Sequence, residues 1–550
     1  MITLMADLNM SISKNKLTAL CLGMSLWLVG CGGEDKGTKV SFLPSDGQVT
    51  LTTATPTNVN AYAAARFLEQ ASWGPTPAAI AEVQRLGMEG WIDRQLGMKY
   101  SDLNPPNYVI DYDQNLNAAL DLAFGWFRAR FYDLAIGGED QLRQRMGWAL
   151  YNFIVLGAFG QALGQIEYYN MLQRNALGPF PDLIRAVSLD AQMGDFLNNN
   201  QNTAGRPNEN YARELMQLFT VGLTKLGPDG TILRDAQGKA IETYTQADVI
   251  SATKALSGWQ SEWRETPKSD NINARVPMRP RPNADSHDSS QKVLLGKVIP
   301  AGQTIQQDLE SVINILVNHP NTAPFVSKRL IQSLVSSDPS PEYIARVGYV
   351  FIQSGGNLGK VAKAILLDPE ARAGDDPQYL LPRIGKIKEP ILYQVGFLRA
   401  LGCKSSVVSR NNPAQLFDAQ QNPYRAQSVF GFYAPNHKAP ESLTPAPEQK
   451  LLTSNEFNFR AGNFNYQSEL PQNLINAGCE LDLFIKAAEK SDDALIALIS
   501  ERFFKGAMPT TLRSGAKKLL ANNLASNTPT SKFSLILQLL VTSPTYGVVK

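Results

Sequence analysis

Histidine is nearly missing from this chain: three occur among 550 residues. That leaves no room for a three-histidine metal centre, and no metal set is expected. Cysteine is almost as scarce, at four, and no two of them form a Cys-x-x-Cys pair. Also absent are His-Glu-x-x-His, Gly-x-Ser-x-Gly and the phosphate-binding glycine loop. Their absence argues against a zinc protease of that type, a typical α/β-hydrolase and a P-loop nucleotide enzyme. An excess of charge of one sign is lacking as well: 52 Lys and Arg face 50 Asp and Glu, a net +2. No global field attracts nucleic acid, and no basic stripe supports binding it. What is present is a 43% hydrophobic share with 9% aromatics, enough for a large buried core and too much for a disordered chain.

The first thirty residues read as an address. Lys14 and Lys16 precede an uncharged run from Leu17 to Gly30 that ends at Cys31. A basic segment before a short apolar one is the pattern of a secretory signal. The run is too short for a permanent span, which needs ~20 apolar residues. Leu28-Val29-Gly30-Cys31 resembles the bacterial lipobox, where the cysteine thiol takes a lipid and becomes the new N-terminus. The resemblance implies a lipid anchor at Cys31, with Gly32 rather than aspartate behind it favouring the outer over the inner membrane. Residues 31–58 then read as anchor and flexible polar tether. With Cys21 removed and Cys31 lipidated, Cys403 and Cys479 remain. They form either one disulfide, worth about 2–4 kcal/mol, or two buried thiols.

Residues 59–550 read as a single large helical domain, mainly α, with one or two small β-hairpins and long irregular loops. Asn60 caps a helix through Tyr62, Ala65 and Leu68. Thr76-Pro77 starts another that ends at Gly87. Leu142, Met146, Ala149, Leu150 and Phe153 recur at helical spacing. Thr322 with Pro324 and then Ser491 open two more, and the apolar stretch Phe533 to Leu540 is expected inside the core. Thr231-Ile232-Leu233 and Lys239-Ala240-Ile241 flank a turn and predict a small exposed hairpin. Lys292 to Ile299 predicts another extended piece. The stretch 264–290, rich in Pro, Asn, Asp and Arg, is the longest irregular segment.

Polar residues gather in two places. Pro207 to Gly222 predicts one amphipathic helix on which Glu209 and Arg213, and Asn210 and Glu214, stand four apart. Leu215, Leu218 and Phe219 take the opposite side. Glu209 or Glu214 is a candidate general acid or base with Arg213 tuning it; the same residues equally make a structural ion-pair network. The preceding run Asp195, Asn198, Asn199, Asn200, Gln201, Asn202 and Asn208 is dense in amides. Such groups suit a hydroxyl-rich ligand, and equally a loop satisfying its own backbone. Trp73, Trp259 and Trp263 are candidate stacking faces for sugar rings, or core. In the irregular stretch, Asp285, His287 and Asp288 stand together: His287 with Asp288 is a candidate general base, or part of an oxygen-rich metal site, or simply solvated loop.

Several blocks then coincide with one family: Ala64-Ala65-Arg66-Phe67-Leu68, Asn208 through Leu215, Leu256-Ser257-Gly258-Trp259, Gly385 through Pro390, and Ser428 through Tyr433. Together they resemble the domain-of-unknown-function family 1800, large exported bacterial proteins, over roughly 60 to 548. The family carries no reaction or cofactor to transfer. Its association with a sulfatase-like companion implies work on envelope polysaccharide. Two functions stay open. One is a lipid-anchored enzyme or binding protein for glycans, with Glu209, Arg213, Glu214, His287 and Asp288 catalytic and Asn199, Asn208, Asn210 and Trp259 contacting ligand. The other is a non-enzymatic helical scaffold or partner of another exported protein.

Overall fold

The computed structural model describes residues 59–550 apart from 104–111, 158–161, 263–274, 380–384, 405–420, 424, 443, 463–473, 476–477, 523–527 and 550, together with the strands Thr38–Ser41 and Gln48–Leu51. The signal segment, Cys31 and Trp263 lie outside the described residues. The two early strands pair antiparallel within the stretch read as a tether, Thr38 opposite Leu51. The body is mainly α, with only short two-stranded pairs between helices.

Local chemistry starts the helices. Asn60 Oδ1 accepts the Ala63 amide at 2.8 Å and opens Ala61–Ala71; Thr76 Oγ1 does the same for Ala79 at 3.2 Å and opens Pro77–Leu96. Ser491 Oγ accepts from Ala494 at 3.0 Å and opens Asp492–Phe504. These side chains satisfy amides that have no partner inside the helix. Gly87, expected as an end, is instead a kink: at φ 72° and ψ 165° it breaks the helix, which then resumes to Leu96. Only glycine takes that conformation without strain. Thr322 is the first helical residue rather than the cap, which is Asn321. The Thr322 hydroxyl reaches back to the Leu316 carbonyl at 2.6 Å.

The segment expected as one helix from Pro207 to Gly222 changes pitch. An α-helical turn at Asn210–Glu214 passes into π-helix at Leu215–Thr220, with Glu209 in the cap position. The Thr220 hydroxyl bonds the Leu215 carbonyl five residues back at 2.6 Å, and the Val221 amide reaches Met216. Such widened turns keep apolar residues facing inward where one extra residue must be absorbed; Leu215, Met216 and Phe219 are fully buried.

Helices Thr322–Leu334, Pro341–Gln353 and Leu358–Leu367 pack in sequence, and Gln141–Tyr151 lies against both Pro77–Leu96 and Thr322–Leu334. Leu481–Lys490 joins Asp492–Phe504 and Pro529–Thr542 at the C-terminal end, where Phe484 stacks on Phe533 at 4.8 Å. Phe533, Ile536, Leu537 and Leu540 are buried. An aromatic nest of Trp73, Phe131, Trp148, Tyr151 and Phe432 fills the centre with ring centroids 5.4–6.4 Å apart, spacings at which aromatic rings attract beyond their buried area. Strands Lys292–Leu294 and Lys297–Ile299 form a tight hairpin. The predicted turn at 235–238 is closed by the bridge Arg234 to Ala240, and a second turn at 227–231 by Leu226 to Ile232. Lys386–Ile387 pairs with Val548–Val549 and draws the C-terminus onto the body. Cys403 and Cys479 are joined by a disulfide across 76 residues of sequence. Among the described residues no helix is long and apolar enough to cross a membrane.

Candidate functional site

The helix Gln246–Ala255 separates the predicted site residues into two groups. Thr245 and Asp248 form a reciprocal cap at its start. There Gln246 Nε2 donates to both oxygens of Glu209 at 2.9 Å, and Arg213 donates to Glu209 Oε2 at 2.7 Å and to Gln246 Oε1 at 3.0 Å. The three side chains close on one another at a surface where Glu209 is 35% and Arg213 39% exposed. An exposed pair of this kind is worth about 0–1 kcal/mol. Glu214 differs. Burial raises its carboxyl above the usual range against the pull of Arg213, and its buried Oε2 has no hydrogen-bond partner among the described residues. Asn210 is exposed, and its amide donates to Asn208 Oδ1 at 3.1 Å.

His287 lies at the other end of that helix. Nine residue steps of ~1.5 Å put roughly 14 Å of axis between Gln246 and Ala255, so Glu209 and His287 do not form one constellation. Around His287 the arrangement has the outline of a Ser-His-Asp triad. Ser257 Oγ is 3.4 Å from Nδ1, and Asp308 Oδ2 is 3.1 Å from Nε2. The hydrogen bonds decide against a nucleophile. Ser257 is buried, its hydroxyl donates to the Lys254 carbonyl at 2.6 Å, and it accepts the Asp288 amide at 2.9 Å. His287 Nδ1 faces the Ser257 carbonyl at 3.0 Å, nearer than the hydroxyl. Asp308 is fully buried and also binds Lys292 Nζ at 2.6 Å. The cluster pins the irregular stretch to helix Ile305–Val317. Gly258 completes the fit: at φ +94° a Cβ there would stand 3.2 Å from the His287 backbone. Burial alone would raise Asp288, but hydrogen bonds from Ser290 and the charges of Lys254 and Lys292 hold it below the carboxylate range.

The amide run folds back on itself. Asn202 donates to the Thr253 carbonyl at 2.8 Å and accepts the Asn208 amide at 3.1 Å; Asn200 bonds Asp195 and Ser261. Asn199 is 2% exposed and neither of its amide atoms has a hydrogen-bond partner among the described residues. Trp73 and Trp259, expected as stacking faces, are 1% and 3% exposed, so neither ring offers an open face to a sugar.

A polar cleft lies elsewhere, and of its lining residues helical periodicity marked only Ala149 and Phe153. It is a half-open cleft walled by Asn152, Phe153, Arg329, Gln332, Tyr433 and Glu448, among others. Behind it stands Glu389, fully buried. Its Oε1 accepts Trp148 Nε1 at 2.9 Å; its Oε2 accepts the Tyr433 hydroxyl at 3.1 Å and the Gln421 amide. Glu448 Oε1 binds Lys386 Nζ at 2.7 Å, and Arg145, also fully buried, donates to the Ser333 carbonyl. Burial, reinforced by Glu389 and Glu448, keeps the Tyr433 phenol far above its ordinary range and therefore protonated. A signal was present: Arg145 interrupts the apolar face of the helix carrying Leu142, Met146 and Ala149, and a charge there needs a buried partner.

A second cavity is lined by Glu69, Lys388, Lys505 and Tyr546 with apolar neighbours. Glu69 binds Lys388 at 2.9 Å and Lys505 at 2.7 Å. Among the described residues no group of three or more His, Cys, Asp or Glu could hold a metal ion.

Residues 66–548 match the family described as protein of unknown function, DUF1800. No curated protein and no solved structure matches the chain.

Proposed function

The chain belongs to the DUF1800 family, and on that footing we propose that it is an exported, lipid-anchored envelope protein that binds a glycan or similar polyhydroxylated polymer in the Tyr433 cleft. The observation that carries the ligand class is the lining itself. Asn152, Gln332, Tyr433 and Phe153 line one opening; Gln332 Nε2 and the Tyr433 hydroxyl are bonded within the protein, while the buried Gln332 Oε1 has no hydrogen-bond partner among the described residues. Amides and hydroxyls supply donors and acceptors together, and rings cover the apolar faces of sugars. Binding is favoured over turnover because both adjoining carboxylates are already engaged, Glu389 by Trp148, Gln421 and Tyr433 and Glu448 by Lys386.

Calorimetric titration of the full-length protein with a panel of soluble polysaccharides tests this. Tyr433→Phe and Asn152→Ala should weaken binding of the ligand found, while Glu209→Gln should not. Loss of binding in Glu209→Gln alone would return the site to the helix Asn210–Glu214. New oligosaccharide masses after incubation would make the protein an enzyme. Export and anchoring rest on the segment from Lys14 to Cys31. Cys31→Ala should leave the protein soluble or its signal uncleaved, and normal processing with continued membrane attachment would sink that part.

A second reading, docking on another exported protein, is favoured by an apolar surface. Val293 and Val298 face each other across the hairpin at 47% and 60% exposure, and Ile250 is exposed on the helix packed against it. Co-purification of a stoichiometric companion that Val298→Asp releases would support it.

A further inference from the structure

Arg329 stands out in the wall of this cleft. Its guanidinium lies 5.0 Å from the Phe325 ring centroid, and among the described residues it has neither a carboxylate partner nor a hydrogen bond. Burial without a counter-charge pulls it down to about 10. The nearby acids cannot serve it. Glu448 is held by Lys386 and by the Ser337 hydroxyl at 3.2 Å, and Glu389 is saturated by Trp148, Gln421 and Tyr433. Counting the buried Arg145 and Lys386, three cations surround two carboxylates here. Lys328, beside Arg329, adds a fourth positive group; burial and the Arg329 charge depress it, while the Asp338 carboxylate pulls it back up. A half-buried charge without a partner is costly to fold around, and that cost is offset when an anion enters. The planar fork of a guanidinium pairs with two oxygens of one acid group.

Resting on the proposed glycan reading, we infer that the cleft takes an acidic saccharide, with Arg329 binding a carboxylate or sulfate oxyanion of the sugar while Asn152 and Tyr433 contact its hydroxyls. Arg329 is then the residue that selects charged over neutral polymer. Arginine rather than lysine suits this role because both oxygens of the acid group are held in one plane.

The test uses the full-length protein in detergent, titrated with three probes: a neutral dextran oligosaccharide, an oligogalacturonate carrying carboxylates, and a sulfated galactan oligosaccharide. The expected result is tight binding of at least one acidic probe, weakening as salt rises. Arg329→Gln should cost that probe ~10–100-fold in affinity, the range for hydrogen bonds to charged groups, without affecting the neutral one. Which acidic probe binds separates carboxylate from sulfate. Thermal stability of Arg329→Gln should equal or exceed that of the wild type, because an uncompensated charge is removed. A large stability loss would make the guanidinium structural and overturn the inference. Equal affinity of wild type and Arg329→Gln for the acidic probes, or a preference for the neutral one, would overturn it while leaving the cleft as a glycan site. Failure of all three probes would overturn the cleft reading, and the inference with it.

Discussion

Replacing Glu69 by glutamine removes the one carboxylate between two ammonium groups in the wall of the second cavity. Lys388 and Lys505 are only 7% and 12% exposed at the side chain, and both point at Glu69, through Oε1 and Oε2 respectively. Burial alone would raise the Glu69 carboxyl, yet the two lysines overcome it and hold it at about 2. Lys388 shows the opposite balance: burial pushes it down, and Glu69 only partly restores it. The carboxylate therefore gains from folding while one of its partners loses, and the triad is stable only as a unit. A carboxyl titrating near 2 folded and 4.5 unfolded carries about 3 kcal/mol of linked stability at neutral pH. Because the folded value is the lower one, this stability is present above pH ~4.5 and is lost as pH falls toward ~2. Glu69→Gln strands two buried cations, for which loss of ~3–5 kcal/mol is expected. Urea unfolding followed by circular dichroism should show that loss at pH 7, and a gap between wild type and variant that narrows below pH ~4.5 and closes as pH falls toward ~2. Adding Lys388→Met should recover at least half of it. A single variant within about 1 kcal/mol of wild type at pH 7, or a gap independent of pH, would refute the reasoning.

Three further outcomes follow from the same structure. Cys403→Ala with Cys479→Ala opens a loop of 76 residues, and the chain-entropy relation gives a loss of ~4.5 kcal/mol; melting that is unchanged with and without reductant would contradict it. Ser257→Ala deletes a buried hydroxyl that serves the Lys254 carbonyl and the Asp288 amide, so a loss of about 1–3 kcal/mol in unfolding free energy is expected, with ligand binding intact. Asp190 is raised to about 7 by burial, reinforced by the Glu167 and Asp195 charges. A raised acid contributes stability below its unfolded value that is lost as pH rises through 7. Asp190→Asn should thus stabilise the protein at pH 8 by up to ~4 kcal/mol and leave it unchanged near pH 3; equal effects at both would discount the titration.

Much of the helical frame was legible because its causes are local. Asn60, Thr76 and Ser491 cap the helices their sequences announce, since cap and amide are three residues apart. The stretch 292–299 was legible as extended but not as a hairpin, whose turn puts both Leu295 and Gly296 at positive φ. The π-turn at Leu215–Thr220 was not legible: a period of 3.6 reads almost the same with one residue more. The cleft was missed for a deeper reason. Trp148 meets Glu389 across 241 residues, and Arg145 meets the Ser333 carbonyl across 188. A motif search within one chain segment sees neither end of such a pair. The Ser257, His287 and Asp308 grouping misleads in the other direction, since residue types and distances approach a triad while the hydroxyl proton is already spent on a carbonyl.

The five residues from Lys386 to Pro390 draw these observations together. Lys386 reaches Glu448 and the Gln332 and Ser333 carbonyls; Lys388 reaches Glu69; Glu389 reaches Trp148 and Tyr433. Its backbone pairs with Val548–Val549, and the Lys388 amide donates to the Gly547 carbonyl at 2.7 Å. One short segment thus ties the first helix, the central aromatic nest and the C-terminal strand, and it forms part of one cavity wall while supporting the other. Its charges are too buried to act on solvent directly. Their role is to fix the walls: with Glu389 anchoring the Tyr433 hydroxyl and Lys386 occupying Glu448, the cleft keeps Arg329 as its one uncommitted charge among the described lining residues. The acidic-ligand assignment therefore depends on this segment as much as on Arg329 itself. If Glu389 lost its hold on Tyr433, the phenol would be free to turn away, and selectivity would fall even with the guanidinium in place.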